Sequence, residues 1–314
     1  MQVAFIIDPL SSLQVHHDTT VAIMAACQQE GYEVYTLTIS DLYFLQGEPW
    51  GHLSTLKIYL DQNPWYQCQH AKHCPLREMN VVWMRKDPPV DTAYLYTTHL
   101  LDLIPSSTLV LNSPNGLRKA NEKLFALQFK DWIPRTLVSS KKEILRNFVE
   151  SEQKAILKPL GGKGGEGILR LNWGDPNINS LLEMSTQAGQ IPVMIQEYLP
   201  EAQQGDKRIL LLEGIPLGAV NRVPGSGDFR GNIAAGGRVE KTMITPREKA
   251  MCAALAPTLQ AEGLYFVGID VIGERLTEIN VTSPTMLQEI SQLEGSDLAR
   301  HVALWLGEKV AALT

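Results

Sequence analysis

An apolar strand, a helix and a second strand follow one another at the start of the chain, and this order limits the fold more than any other feature. Val3–Ile7 is a short apolar run closed by Asp8 and Pro9. Thr19–Gly31 follows with helical spacing and stops at a glycine, and Tyr32–Ile39 alternates as a second strand. A β-α-β succession predicts a parallel pair, so the first third reads as an α/β domain on a parallel sheet. Val81–Met84 and Leu109–Leu111 read as further buried strands, ending at Arg85–Pro89 and Asn112–Pro114. Sheets of this kind bind ligands beyond the carboxyl ends of their strands, which makes Asp8, Arg85 and Asn112 expected neighbours.

From about residue 120 the texture changes. Ala120–Lys130 has the spacing of a helix. Ala155–Lys158, Ile168–Leu171 and Val193–Tyr198 read as strands, so Gly161–Gly167 is expected to be a hairpin loop. Arg208–Leu212, Gly218–Arg222, Phe266–Ile272 and Leu276–Val281 read as strands of the last third, with helices over Pro246–Glu262 and the C-terminal tail. At roughly 150 residues per domain, 314 residues suggest about two domains. An apolar fraction of 44% argues against disorder. Lys and Arg number 28 against 34 Asp and Glu, and a net charge of −6 argues against nucleic acid as the main partner. Met1–Leu10 lacks the basic start of a signal peptide, and no run approaches the ~20 apolar residues that span a bilayer. Four cysteines, Cys27, Cys68, Cys74 and Cys252, are too scattered for a disulfide framework. The expectation is a cytoplasmic, reduced protein without a membrane partner.

Three constellations carry chemistry. In the first, five of the seven residues Gly161–Gly167 are glycine. Such a loop lets backbone N–H groups approach phosphate oxygens, and the Walker pattern is absent. Glycine density alone fits a flexible surface hairpin equally well; Lys158 at the preceding strand end favours a lid over nucleotide phosphates. In the second, Glu278 and Asn280 lie two apart on a strand and share a face. If Gly273–Arg275 forms a three-residue loop, residue 272 pairs with 276 and Asp270 lies across from Glu278. Three hard oxygen donors then converge, and oxygen-only ligands favour Mg²⁺ with substrate phosphates. A solvated sheet face is the competing reading. The third is a set of arginines beside glycines, Arg208, Arg222, Arg230 and Arg238, with Arg230 central in the glycine-rich stretch Pro224–Gly237. A loop of this kind closing over a reacting acyl phosphate would exclude water. The segment Cys68–Cys74, with His70 and His73, offers four soft ligands, but its crowded spacing suits a polar loop better than zinc. His16 and His17 read as a surface pair. Together the three constellations describe ATP with Mg²⁺, a lid, and cationic groups for anionic substrates.

The ordered motifs extend over essentially the whole length: Ile6–Pro9 (IIDP), Met84–Pro89 (MRKDPP), Asn121–Phe125 (NEKLF), Leu157–Gly165 (LKPLGGKGG), Gln196–Pro200 (QEYLP), Gly205–Ile209 (GDKRI), Arg230–Arg238 (RGNIAAGGR), Phe266–Gly273 (FVGIDVIG) and Thr277–Thr285 (TEINVTSPT). In these the chain resembles prokaryotic-type glutathione synthetases of the ATP-grasp superfamily. The resemblance implies an α/β fold class: an N-terminal parallel α/β substrate domain (1–122), then an ATP-grasp fold of two α+β subdomains, a lid (123–199) and a C-terminal unit with metal site and substrate loop (200–314). It implies ligation of γ-glutamylcysteine to glycine with ATP through an acyl phosphate, with Mg²⁺, or Mn²⁺ in its place, in a homo-oligomer, often a tetramer.

Residue by residue, the resemblance places Lys123 and Lys158 on ATP phosphates and Gly164 and Gly165 over them. It puts Gln196, Glu197, Tyr198 and Leu199 along the adenine edge and Asp206 near the nucleotide sugar. Asp270, Glu278 and Asn280 would bind metal, and Arg208 and Arg230 would stabilise the transferring phosphoryl group and the acyl phosphate. Arg85 and Arg222 would bind peptide carboxylates, with Thr282 and Ser283 against substrate. The chain departs from some relatives at Gly161-Gly162-Lys163, where Asp-Gly-Met stands, and Trp50–Glu78 matches no motif of the family. Another ATP-grasp ligase with different substrates is the close alternative, and a non-catalytic nucleotide-binding module the more distant one.

Overall fold

The computed structural model describes residues 1–162, 164–225 and 236–313. Arg230 and Lys163 lie outside these.

The first sheet is built from β1 (Gln2–Ile6), β2 (Glu33–Leu37), β3 (Leu42–Leu45), β4 (Glu48–Ile58), β5 (Tyr66–Pro75), β6 (Val81–Met84) and β7 (Leu109–Leu111). Its spatial order is β3-β4-β2-β1-β6-β7, and β5 pairs with the other side of β4. The β2-β1-β6-β7 part is parallel, as the opening β-α-β order requires. The crossover is α1 (Thr19–Gln29), whose N-cap Asp18 accepts from the amides of Thr20 and Val21 at 2.7 and 3.1 Å. Two helices close this part, α2 (Thr92–Leu101) and α3 (Pro114–Lys119).

The second sheet, antiparallel with order β10-β9-β11-β8, contains β8 (Thr136–Ser139), β9 (Lys154–Pro159), β10 (Leu169–Asn172) and β11 (Val193–Glu197). With α4 (Lys142–Glu152) and α5 (Ile178–Ser185) it encloses a core of its own around Leu145, Val149, Leu157, Leu182 and Ile195. The third sheet has the order β14-β13-β12-β15-β16: β12 (Asp206–Leu212), β13 (Ile215–Val223), β14 (Arg238–Lys241), β15 (Phe266–Ile272) and β16 (Arg275–Asn280). Three helices belong to it, α6 (Pro246–Ala261), α7 (Leu287–Glu294) and α8 (Leu298–Ala311).

Each sheet is local in sequence, but the cores are not. One cluster joins Ala4, Ile6 and Met84 to Ile209, Leu255 and Ile279. Another joins Phe5, Met24 and Trp83 to Leu210, Val302 and Trp305. The first and third sheets therefore share their interior, while the second sheet stands apart with its own. Asn112 sews the shared part together. Its carboxamide donates to the carbonyls of Phe266 and Val281 at 2.9 and 2.8 Å and accepts from the amides of Tyr265 and Phe266 at 2.9 and 3.0 Å.

Three local expectations are corrected. Ala120–Lys130 is not a helix: only Phe125–Gln128 turns, as a 3₁₀ segment. Asn121 caps the Lys123 and Leu124 amides at 3.2 and 3.0 Å, and the Glu122 carbonyl is taken by the Ile279 amide at 2.9 Å, so tertiary contacts hold the backbone open. The Cys68–Cys74 segment is strand β5, not a polar loop; Cys68, His70 and His73 sit along an outer strand, and His73 stacks on His52 across the pair with ring centroids 4.3 Å apart. The β15–β16 loop has two residues, Gly273 and Glu274, since Ile272 pairs with Arg275. Both have positive φ, 54° and 61°, which suits the mirror-image turn that tight hairpins prefer.

Candidate active site

A two-residue loop alone would misalign Asp270 and Glu278. The structure restores their pairing with a β-bulge: Val271 faces Leu276, Thr277 is the extra residue, and Asp270 faces Glu278. The Thr277 hydroxyl donates to the Asp270 carbonyl at 3.1 Å and fastens the bulge. Asn280 shares the face, its Nδ2 3.3 Å from Asp270 Oδ2.

Asp270 is the hub of this face. Arg208 of β12 grips it in two places, Nε to Oδ1 at 2.5 Å and Nη2 to Oδ2 at 3.0 Å. Arg222 of β13 spans Asp206 Oδ2 at 2.5 Å and Asp270 Oδ2 at 3.0 Å. Burial alone would raise the Asp270 carboxyl, but the two guanidiniums outweigh it and hold the group well below the usual carboxylate range. Asp206 has one close guanidinium where Asp270 has two: burial pushes its carboxyl up to about 6 against the pull of Arg222, helped by the nearby Asp270 charge. Its Oδ1 and the Nε of Arg222 are buried without a partner among the described residues. Lys123 Nζ lies 3.7 Å from Glu278 Oε1. Lys158, on β9, is 7% exposed, and burial lowers its ammonium while Glu278 opposes the shift.

These groups line one cleft of about 710 Å³ between the second and third sheets. Gly164, Gly165 and Gln196 to Leu199 line it from the second sheet, and Thr282 and Ser283 from the turn after β16. Gly164 and Gly165 have φ of 64° and 81°, a left-handed backbone that side chains resist. The Glu197 and Tyr198 amides already donate to the Arg135 and Lys154 carbonyls at 3.0 and 3.1 Å. Ile156, Ile168 and Ile272 supply apolar wall, a set that sequence reasoning passed over because isoleucines in strands signal only core.

Two expected residues are not in the cleft wall as described. Arg230 falls outside the described residues. Arg85 is 3% exposed behind the wall, where Nε donates to Thr20 Oγ1 and Nη2 to the Pro284 carbonyl, each at 3.0 Å. It supports the turn that carries Ser283. Of its expected neighbours, Asp8 binds Lys86 and the Asp87 amide instead, at 2.7 and 3.0 Å, and Asn112 belongs to the core seam.

A glycine-rich hairpin over buried lysines, facing a sheet that carries acidic oxygens and arginines, defines an ATP-grasp ligase. Solved structures bear out the fold. D-cycloserine synthetase DcsG superposes with a TM-score of 0.67 at 13% identity, over 98% of this chain and 100% of that one. The macrocyclase MdnC bound with precursor peptide MdnA, from Microcystis aeruginosa, gives 0.67 at 16% identity over 98% and 100%. The sequence specifies the family. The prokaryotic glutathione synthetase N-terminal domain matches residues 1–118 and the prokaryotic glutathione synthetase ATP-grasp domain residues 122–295. The glutathione synthetase of Thermosynechococcus vestitus is 54% identical over 98% of this chain and 99% of the relative, and that of Synechococcus elongatus 57% identical over 94% of each. The chain belongs to the prokaryotic glutathione synthetase family.

Proposed function

We propose that the chain joins γ-glutamylcysteine to glycine, with ATP converted to ADP and phosphate through an acyl phosphate. The observation that carries this is the convergence in one cleft of Lys123, Lys158 and Arg208 with the Asp270, Glu278 and Asn280 face. A carboxylate and a triphosphate repel, so phosphoryl transfer between them needs positive charge already in place. Lys123 and Lys158 hold the phosphates, and the Gly164-Gly165 backbone covers them. Gln196, Glu197, Tyr198 and Leu199 border the base and Asp206 the sugar. Arg208 steadies the moving phosphoryl group, a task the family resemblance also gives to Arg230. Arg222, Thr282 and Ser283 meet the peptide, and Arg85 acts on it through the Pro284 carbonyl.

The donor set suits a divalent cation, Mg²⁺ or Mn²⁺. Among the described residues Glu278 faces the cleft with only a long contact to Lys123, and a carboxylate such as Asp270 has lone pairs beyond those its arginines use. Asn280 presents its amide nitrogen to Asp270 and would turn over to offer its oxygen. A bound cation would neutralise triphosphate charge as the bond to phosphorus changes hands.

The units 1–122, 123–199 and 200–314 each contain one whole sheet, which supports assigning them to peptide binding, lid and metal site. Four unpaired cysteines suit a reducing cytoplasm. No helix among the described residues is long and apolar enough to cross a membrane. We place the enzyme in a homo-oligomer, a tetramer by resemblance, with no nucleic-acid partner.

The test is phosphate release from ATP and Mg²⁺ with γ-glutamylcysteine and glycine omitted in turn. Release that needs both, with equal glutathione, is expected. Release indifferent to glycine overturns the amine assignment, and no release overturns the peptide assignment. Arg230→Ala is expected to raise ATP hydrolysis relative to glutathione formed; an unchanged ratio removes the loop from guarding the acyl phosphate.

A further inference from the structure

Glycine reaches the acyl phosphate as an ammonium, and an ammonium has no lone pair with which to attack. The established chemistry therefore needs a proton acceptor beside the reacting carbonyl, and the roles assigned above supply none. Asp206 and Asp270 are committed to arginines, Glu278 faces Lys123, Glu197 Oε1 accepts from the Arg135 amide at 2.8 Å, and Asp87, which also lines the cleft, lies within electrostatic reach of the Arg85 guanidinium. Glu166 rides exposed on the glycine-rich loop.

Glu122 differs from all of these. It lines the cleft, half-buried, and its one described side-chain partner is a neutral hydroxyl, Thr282 Oγ1, which donates to Oε1 at 2.8 Å. Its position is fixed by the backbone: the Glu122 carbonyl accepts from the Ile279 amide at 2.9 Å, between Glu278 and Asn280. The carboxylate thus stands where the metal face of β16 runs into the Thr282–Ser283 turn. A carboxylate held this way keeps Oε2 available to a ligand in the cleft. Burial raises the Glu122 carboxyl above its ordinary value. The Thr282 hydrogen bond, Lys123 and Arg208 draw it down, Glu278 pushes it up, and the buried Tyr94 hydroxyl lies within electrostatic reach. A raised carboxyl is a better match for an amine than an ordinary one.

We infer that Glu122 is the general base that deprotonates the attacking amine; this rests on the ligase reading above. One proton passes from the glycine ammonium to Glu122. The freed lone pair forms the C–N bond, and the C–O bond to phosphate breaks with its electron pair going to the leaving oxygen. A second proton passes from nitrogen to the departing phosphate, and Glu122 later releases its own to solvent.

Hydroxylamine separates this role from a positioning one, because near neutral pH it arrives largely unprotonated. Wild type and Glu122→Gln are compared for glutathione from glycine and for hydroxamate from hydroxylamine, both with ATP, Mg²⁺ and γ-glutamylcysteine. Glutamine keeps the acceptor for Thr282 and the shape, so the fold is expected to survive. Glu122→Asp, which keeps the carboxylate, serves as the second variant and should recover part of the loss. General-base catalysis contributes on the order of 10²–10⁴-fold, so the glycine-to-hydroxylamine rate ratio should fall about 100-fold or more in Glu122→Gln. A ratio unchanged, whether both rates fall together or neither falls, overturns the assignment and leaves Glu122 a positioning residue for Thr282. A wild type that forms hydroxamate but no glutathione overturns the glycine reading and this inference with it. One that forms neither overturns the peptide reading instead.

Discussion

Asp270 and Glu278 face each other across one hairpin, yet they fail differently when removed. Asp270 balances two buried guanidiniums, so Asp270→Ala should cost about 3–5 kcal/mol of stability as well as activity, because uncompensated buried charge remains. Glu278 carries one long contact to Lys123. Glu278→Ala should lose about 10²–10³-fold or more in turnover while its urea midpoint stays close to wild type. Paired unfolding curves and phosphate-release assays check both; an unfolded Glu278→Ala would remove the metal-face interpretation. Asn112 makes four hydrogen bonds in the shared core, and Asn112→Ala should cost about 2–4 kcal/mol by urea titration, since buried backbone groups lose their partners. At this scale much was legible. The Asp270–Glu278 pairing followed from residue types and spacing, although the loop length it assumed was wrong and a bulge at Thr277 made up the difference. Nothing in the identity of Thr277 announces a bulge. Nor does Asn112 announce a seam, because the three residues it bonds, Tyr265, Phe266 and Val281, lie more than 150 residues away.

Elements were legible where a run is apolar throughout, as in β1 and β6, or alternates between faces, and not where neither pattern is present. Strand β5 shows why: Cys68-Gln-His70-Ala has no alternation to read, because the strand lies at an outer edge and is largely exposed. Cys68 is exposed there, whereas Cys27, Cys74 and Cys252 are buried. Burial pushes the Cys27 and Cys252 thiols up to about 12, with nearby glutamates adding to it. Alkylation of the native protein should therefore modify Cys68 first, with the other three reacting only on denaturation, as peptide mapping would show. Helix α8 is pinned to the end of β12 by Glu213, whose carboxylate accepts from Trp305 Nε1 at 3.0 Å and pairs with Lys309. Burial alone would raise that carboxyl, but Lys309 and Trp305 together lower it below its ordinary 4.5. The stabilisation is then complete above 4.5 and is lost as pH falls through the lower folded value. Glu213→Gln should cost about 1 kcal/mol near neutral pH and nothing at pH values below that transition, read from melting curves at several pH values.

On the scale of the molecule, two apolar clusters are shared by the first and third sheets, and a smaller third one belongs to the second sheet alone. Leu157 belongs to the cluster of the second sheet and is completely buried. Leu157→Ala should destabilise by about 2–5 kcal/mol, and hydrogen exchange should show the loss in β8 to β11 while β1 and β12 keep their protection. Uniform loss across all three sheets would mean the second sheet does not unfold as a unit of its own. This division was only partly legible: three sheets follow from local strand patterns, but which of them pool their apolar faces depends on contacts between ends of the chain. Phe5 of β1 and Met24 of α1 share one apolar cluster with Val302 and Trp305 of α8, which packs on α1. Synthesis therefore imposes an order. The opening sheet emerges from the ribosome long before the helix that covers it, and at about 5–20 residues per second its apolar flank waits roughly 15–60 s for its own C-terminus. During that interval the surface that α8 later claims stands open to water.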